Sequence, residues 1–208
     1  MSQEISGQLS ASDIVNKSNK NCLIIKSLLG TKQDVMSMVK GLFVKESELV
    51  EYYQIVDVNG DIKYKGKYKY LTLLESCEDR DTLTIELCDK DNKVVGCIKD
   101  IKHKNREWFD KNVRRCSIYI SDKKICDFKK YEMSDDVHYS FEYSNYSVYD
   151  NKLNSYDFKF SGKQIAKLHI TQIKKDEKFF EQYVLEYQNE KDEIIGILLA
   201  LALNTIKD

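Results

Sequence analysis

Residues 194–206 read IIGILLALALNTI, and a helix built from them has no polar face. Leucine and alanine lose little side-chain freedom in a helix, and here they replace the β-branched and aromatic residues that dominate upstream, so the segment is expected to be helical. Asn189 or Asp192 can cap it, Asp192 and Glu193 suit its positive end, and Lys207 lies at its negative end. A surface helix keeps one polar stripe; this one keeps none, so the rest of the chain must surround it. Its strongly apolar run, 194–203, is ten residues long, against about 20 needed to span a bilayer.

A sheet closed on itself can surround a helix, and the upstream sequence supplies hairpins. VDVNGDIKYKGKYKY at 56–70 places an Asn59-Gly60 turn between two strands, and CDKDNKVVGCIKDI at 88–101 repeats the pattern around Asp91-Asn92. A third copy, CSIYISDKKICDFKKYEM, turns at Asp122-Lys123, and a fourth, YDFKFSGKQIAKLHITQI, at Ser161-Gly162. Such residues tolerate the positive φ of tight hairpins. The turns fall at intervals of roughly 30, 30 and 40 residues, and one further aromatic strand, HYSFEYSNYSVYD, occupies the longer gap. Within strands the period is two: Tyr156, Phe158 and Phe160 share a face, and Ala166, Leu168 and Ile170 continue it after the turn. The 14 tyrosines, 8 phenylalanines and absence of proline suit long ladders. The expected fold is mainly β, ten to twelve antiparallel strands closed into a barrel around the C-terminal helix; a sandwich is the alternative.

The order of YQIVDVNGDIKYKGK, LCDKDNKVVGCIK, ISDKKICDFKK, FKFSGKQIAKLH and DEIIGILLALAL resembles the tubby-like superfamily, and more closely its LURP-one-related branch. The resemblance implies a twelve-stranded barrel wrapped on a hydrophobic helix and covers the chain from about Val35 onward. It divides the sequence into a variable leader, 1–30, in which CLIIKSLL at 22–29 could form a strand or helix lying against the barrel, and one barrel domain, 31–208. Departures are the long leader, the charged insertion KHKNREWFDKN at 102–112 and the tyrosine-rich stretch from His138 to Asp150. In this superfamily tubby proteins bind phosphoinositides through basic barrel-surface residues. Scramblases act on phospholipids with calcium and a lipid anchor, and the LURP-one branch is linked to defence. The palmitoylation cluster of scramblases has no counterpart here, which argues against scrambling.

The formal charge of -1 gives the molecule no long-range attraction for nucleic acid. Basic residues are concentrated locally, with eleven Lys/Arg against five Asp/Glu in 99–130. On the strand DIKYKGKYKY, Lys63, Lys65, Lys67 and Lys69 share one side, about 6.6 Å apart, opposite Ile62, Tyr64, Tyr68 and Tyr70. These four, with Lys102, Lys104, Arg106, Arg114 and Arg115, are the candidate contacts for anionic phospholipid or phosphoinositide headgroups at a membrane surface. An ordinary solvated face is the plain alternative. Trp108 and Phe109 beside Lys102, Lys104 and Arg106 make a stacking-plus-phosphate mixture, but the overall acidity disfavours nucleic acid.

Six cysteines without a CxxC pair read as reduced core residues of a cytoplasmic protein, and MSQEISGQLSASDIVNKSNK does not have the pattern expected of a signal peptide. DVNGD alternates Asp57, Asn59 and Asp61, yet an EF-hand loop needs glycine where Ile62 stands and glutamate where Tyr68 stands. His103, His138 and His169 are isolated, and no nucleophile elbow or glycine-rich phosphate loop is present. No cofactor, metal or catalytic residue is expected. The functional expectation is a non-enzymatic domain that binds anionic phospholipid, with a protein-interaction or structural scaffold as the alternative.

Overall fold

A computed structural model describes residues 10–18, 21–28, 50–69, 84–100, 113–133, 136–142, 144–151, 154–175 and 178–207. Its first half contains α1 (Ala11–Lys17), β1 (Asn21–Ser27), β2 (Val50–Val56), β3 (Ile62–Lys69), β4 (Thr84–Asp89), β5 (Val94–Asp100) and β6 (Val113–Ile120). The second half contains β7 (Lys123–Met133), β8 (Asp136–Glu142), β9 (Tyr146–Asp150), β10 (Ser155–Phe160), β11 (Lys163–Lys175), β12 (Lys178–Tyr187) and α2 (Glu190–Lys207). The twelve strands form one antiparallel sheet in chain order, and β1 lies between β2 and β12 to join the start of the chain to its end. Only β8 and β9 stand at the ends of the ladder, and their aromatic side chains meet across the remaining seam. The result is a nearly closed up-and-down barrel, the architecture that the hairpin repeat and the apolar helix jointly require.

The repeat curls the sheet. In each of the four copies the second strand carries one extra residue just after the turn: Lys63, Val95, Ile125 and Ile165 each fall between two ladder partners. A bulge of this kind bends its strand and increases the local twist, and barrel closure needs both. The turns fall into two kinds. In the first two, Asp57 accepts from the backbone N–H groups of Asn59 and Asp61 (2.9 and 3.0 Å), and Asp89 accepts from those of Asp91 and Lys93 (both 2.9 Å). In the last two a pair of residues with positive φ makes the turn: Ser121 and Asp122, then Ser161 and Gly162. The third turn therefore sits one residue earlier than the expected Asp122-Lys123, and Lys123 instead pairs with Ile120.

The tyrosine-rich stretch, expected as one strand, is two. β8 ends at Glu142, and β9 begins at Tyr146, whose N–H donates to Ser144 Oγ (3.4 Å). Residues 21–27, assigned to the leader on sequence grounds, form β1: Leu23 opposes Leu185, Ile25 opposes Ile55, and all four are buried. The leader as drawn therefore contains one of the twelve strands. Ahead of it Ser10 caps α1 through a reciprocal bond with Asp13, and buried Ile14 lies on this helix, which packs against β12.

α2 begins four residues before the expected apolar segment, because Glu190, Lys191, Asp192 and Glu193 form its first turn. Ile197, Leu198, Leu199 and Ala202 are fully buried within one core that includes Ile25, Ile55, Leu87, Ile98, Ile118, Phe128, Phe158 and Leu168 from the wall. Two glycines let the helix approach that wall closely. A Cβ on Gly96 would stand 2.7 Å from Leu198 Cδ1, and one on Gly196 would stand 3.3 Å from Ala166 Cβ. Near its far end Asn204 is held by the barrel: the Tyr183 hydroxyl donates to its Oδ1 at 2.6 Å, and its Nδ2 donates to the Tyr53 hydroxyl. Asn204 held from two strands favours one axial position for the helix, since a slip leaves the amide without these partners.

Candidate functional site

The outer face of β3 carries Lys63, Lys65 and Lys67 of the lysines singled out in the sequence. Tyr64, Gly66 and Tyr68 alternate with Lys65, Lys67 and Lys69 along the strand, with buried Gly66 and Tyr68 on the inner side. Ile62 does not join that inner row. The bulge at Lys63 interrupts the alternation, so Ile62 pairs with Val56 and is 42% exposed.

Two acids, Asp57 and Glu86, stand among the lysines of this face. Lys63 Nζ lies 3.7 Å from Asp57 Oδ2, and Lys67 Nζ donates to Asn92 Oδ1 at 2.9 Å. The register sets Lys67 opposite Glu86, Lys65 opposite Cys88 and Lys69 opposite Thr84. One strand further, Glu86 opposes Cys97 and Thr84 opposes Lys99, whose ammonium sits 4.8 Å from the centre of the Tyr119 ring. Arg114 and Arg115 begin β6, three strands from β3 and at the opposite end of the barrel from Lys63. Of the β7 cations, Lys124 binds Asp127 at 2.8 Å, and Lys129 pairs with Glu142. The structure thus places Lys63, Lys65 and Lys67 on one strand, sets Arg114 and Arg115 apart from them, and puts acids between. Lys102, Lys104 and Arg106, with Trp108 and Phe109, lie outside the described residues, as does the side chain of Lys69.

A cleft that the sequence does not reveal opens at the tight-turn end, where α2 enters the barrel. Its volume is about 660 Å³, and β1, the β2–β3 turn and the first turn of α2 contribute to its lining. Inside it the Tyr64 and Tyr187 hydroxyls both hydrogen-bond Glu193. Burial first, and the adjacent carboxylate second, push both phenols well above the ordinary tyrosine range. They stay protonated at neutral pH and act as donors that fix Glu193 at the positive end of the helix. Asp57, on the cleft's edge, is engaged by its own turn and by Lys63. Asn189 Nδ2 donates to Asp192 Oδ2 at 2.9 Å, which orders the helix start. This constellation locks the plug into the barrel mouth. Its one sequence signal was the acidic first turn of the helix; the tyrosines come from strands far apart in the chain.

Among the described residues no group of three His, Cys, Asp or Glu is arranged to hold a metal ion, and no helix is long and apolar enough to cross a membrane. His169 faces Glu186 at 3.2 Å. Cys22, Cys88, Cys116 and Cys126 are buried, Cys97 is half-buried, and Cys77 lies outside the described residues. Burial pushes the Cys126 thiol up to about 12, which leaves little thiolate for nucleophilic chemistry. Comparison with family models, with curated proteins and with solved structures finds no match for this chain.

Proposed function

We propose that this chain is a non-catalytic scaffold, a tubby-like barrel of the LURP-one-related kind that engages other proteins or serves a structural role and does not bind lipid. The observation that carries this reading is the interleaving of charge on the β3 face. Lys63 is paired with Asp57, Lys67 bonds Asn92 and stands opposite Glu86, and a headgroup arriving there meets both signs. Attraction to an anionic membrane grows with the number of unopposed cations at the surface, and pairing removes it. The axis of the barrel is filled by α2, so recognition falls to the outer face and the rims. Buried cysteines outside any CxxC pair fit a reducing compartment, the cytoplasm.

Flotation with liposomes of neutral lipid, phosphatidylserine or phosphoinositide, at low and at high salt, tests the reading. The expected result is no partitioning in any mixture, with Lys63, Lys65, Lys67 and Lys69 or with all four changed to Gln. Phosphoinositide-dependent flotation that weakens with salt and is lost in the quadruple variant would overturn the scaffold reading in favour of headgroup binding.

A further inference from the structure

We propose that Asn59 is a modification site: its side-chain amide is lost through a succinimide formed with Gly60, and the isoaspartyl product is a substrate for an enzyme that methylates such carboxyls. Asn59 is the only asparagine of the chain followed by glycine. The reaction needs the backbone nitrogen of the next residue to reach the side-chain carbonyl carbon, and a side chain on that residue stands in the way; glycine has none. The structure adds access. Asn59 and Gly60 are both exposed on the β2–β3 turn, and a Cβ built on Gly60 would meet nothing within 4 Å. Among the described residues no hydrogen bond holds the Asn59 side-chain amide. Asn92, by contrast, accepts from Lys67, and Asn204 is held between Tyr53 and Tyr183.

The reaction needs base and water, and no oxidant. Base removes the Gly60 N–H proton, the nitrogen attacks Asn59 Cγ, a C–N bond forms, the Cγ–Nδ2 bond breaks, and ammonia leaves with a proton from solvent. Water then opens the ring at one of its two carbonyls. Cleavage between Cγ and the Gly60 nitrogen gives aspartate; cleavage at the Asn59 backbone carbonyl gives isoaspartate, whose main chain runs through the former side chain and is longer by a methylene. The folded turn slows the first step, because the Gly60 N–H donates to the Asp57 carbonyl oxygen at 3.0 Å while Asp57 Oδ1 accepts from the N–H groups of Asn59 and Asp61. The second turn shows how each product fits. There Asp89, Asp91 and Asn92 stand where Asp57, Asn59 and Gly60 stand in the first, and the same three bonds form. An aspartate at 59 therefore keeps the turn. An isoaspartate lengthens the chain between Asn59 and Gly60, so the N–H groups of Asn59 and Asp61 no longer reach Asp57 together. The change falls at the cleft where α2 enters, since Asp57 and Val58 line it.

Incubation of the full chain in warm, mildly alkaline buffer, with peptide mapping by mass spectrometry over time, tests the site. A capped peptide of residues 56–63, VDVNGDIK, supplies the rate without the turn. Conversion is read as a gain of about 1 Da on the fragment that holds Asn59, and isoaspartate as methyl groups taken from labelled S-adenosylmethionine by an isoaspartyl methyltransferase. The expected result is modification at 59 ahead of every other asparagine, roughly tenfold slower than in the capped peptide. Asp57→Ala loses two turn bonds and should convert about fivefold faster than the parent chain. Asn59→Asp should melt like the parent chain and show no gain in mass. An Asn59 still intact after about thirty half-lives of the capped peptide overturns the proposal. Earlier loss at another asparagine overturns it too, as does a product that the methyltransferase leaves unlabelled. Equal rates in Asp57→Ala and the parent chain would overturn the protection by the turn.

Discussion

Leu198 and Gly96 report directly on whether α2 plugs the barrel. A methyl group at position 96 would lie 2.7 Å from Leu198 Cδ1 and 2.9 Å from the Tyr119 carbonyl oxygen, closer than packed atoms come. Gly96→Ala alone therefore overpacks the wall and should cost about 1–3 kcal/mol. Leu198 is fully buried, so Leu198→Ala should cost about 3–5 kcal/mol through lost burial and the cavity left behind. If the two sites were independent, the double variant would lose about 4–8 kcal/mol, enough to unfold a domain of ordinary stability. They are not independent, because the new methyl enters space that the leucine vacates. The Leu198 part of the clash disappears while the Tyr119 part stays, so the double variant should be about 1–2 kcal/mol more stable than the sum predicts. Urea denaturation of the four proteins, followed by circular dichroism at room temperature, measures this coupling. Additivity within about 0.5 kcal/mol would refute the seating of Leu198 on β5 and with it the axial plug.

Two further perturbations address the polar framework. Burial lowers the His169 pKa below its usual 6.5 against the opposing pull of Glu186, so the unfolded chain takes up its proton first as pH falls; stability present above 6.5 is lost below it, through the folded value. His169→Gln should flatten the pH dependence of urea midpoints in that window, and an unchanged slope would remove this histidine from the account. Asp57→Ala and Asp89→Ala each remove the acceptor for two turn N–H groups and should each cost about 1 kcal/mol. A thermal melt showing one change silent and the other costly would break the equivalence of the two turns.

The hairpins were legible in the sequence because their signals are local. An Asp or Asn turn and a period of two specify a hairpin without reference to anything distant, and all four copies fold that way. The plug was legible for a different reason: an apolar surface on every side of a helix allows only an enclosed position. β1 stayed open between strand and helix because Cys22–Ile25 is a short apolar run whose partners, β12 and β2, lie at opposite ends of the chain. For Lys65 and Lys67 the period of two gives the side but not the neighbours. Alternation tells which way Lys67 points; that Glu86 stands opposite and Asn92 within reach depends on the register with β4 and on the turn after it. Similarly, Tyr64 and Tyr187 converge on Glu193 only once the barrel closes.

The seam has a sequence origin that the spacing of the turns already contained. Bulges follow the first three turns at Lys63, Val95 and Ile125, steps of roughly 30 residues, and the next comes at Ile165, after a step of roughly 40. Within that longer step lies the β8–β9 connection, which has neither the bulge of the four copies nor a ladder. A bulge concentrates the twist that turns a sheet back on itself, so a hairpin without one continues along the existing curvature and leaves its two strands to meet by side chains. Tyr139, Phe141, Tyr146 and Tyr156 supply those contacts, which explains why the aromatic residues cluster in the one stretch that departs from the repeat. The same interruption that leaves β8 and β9 without a backbone ladder among the described residues thus falls where aromatic rings hold the two strands together.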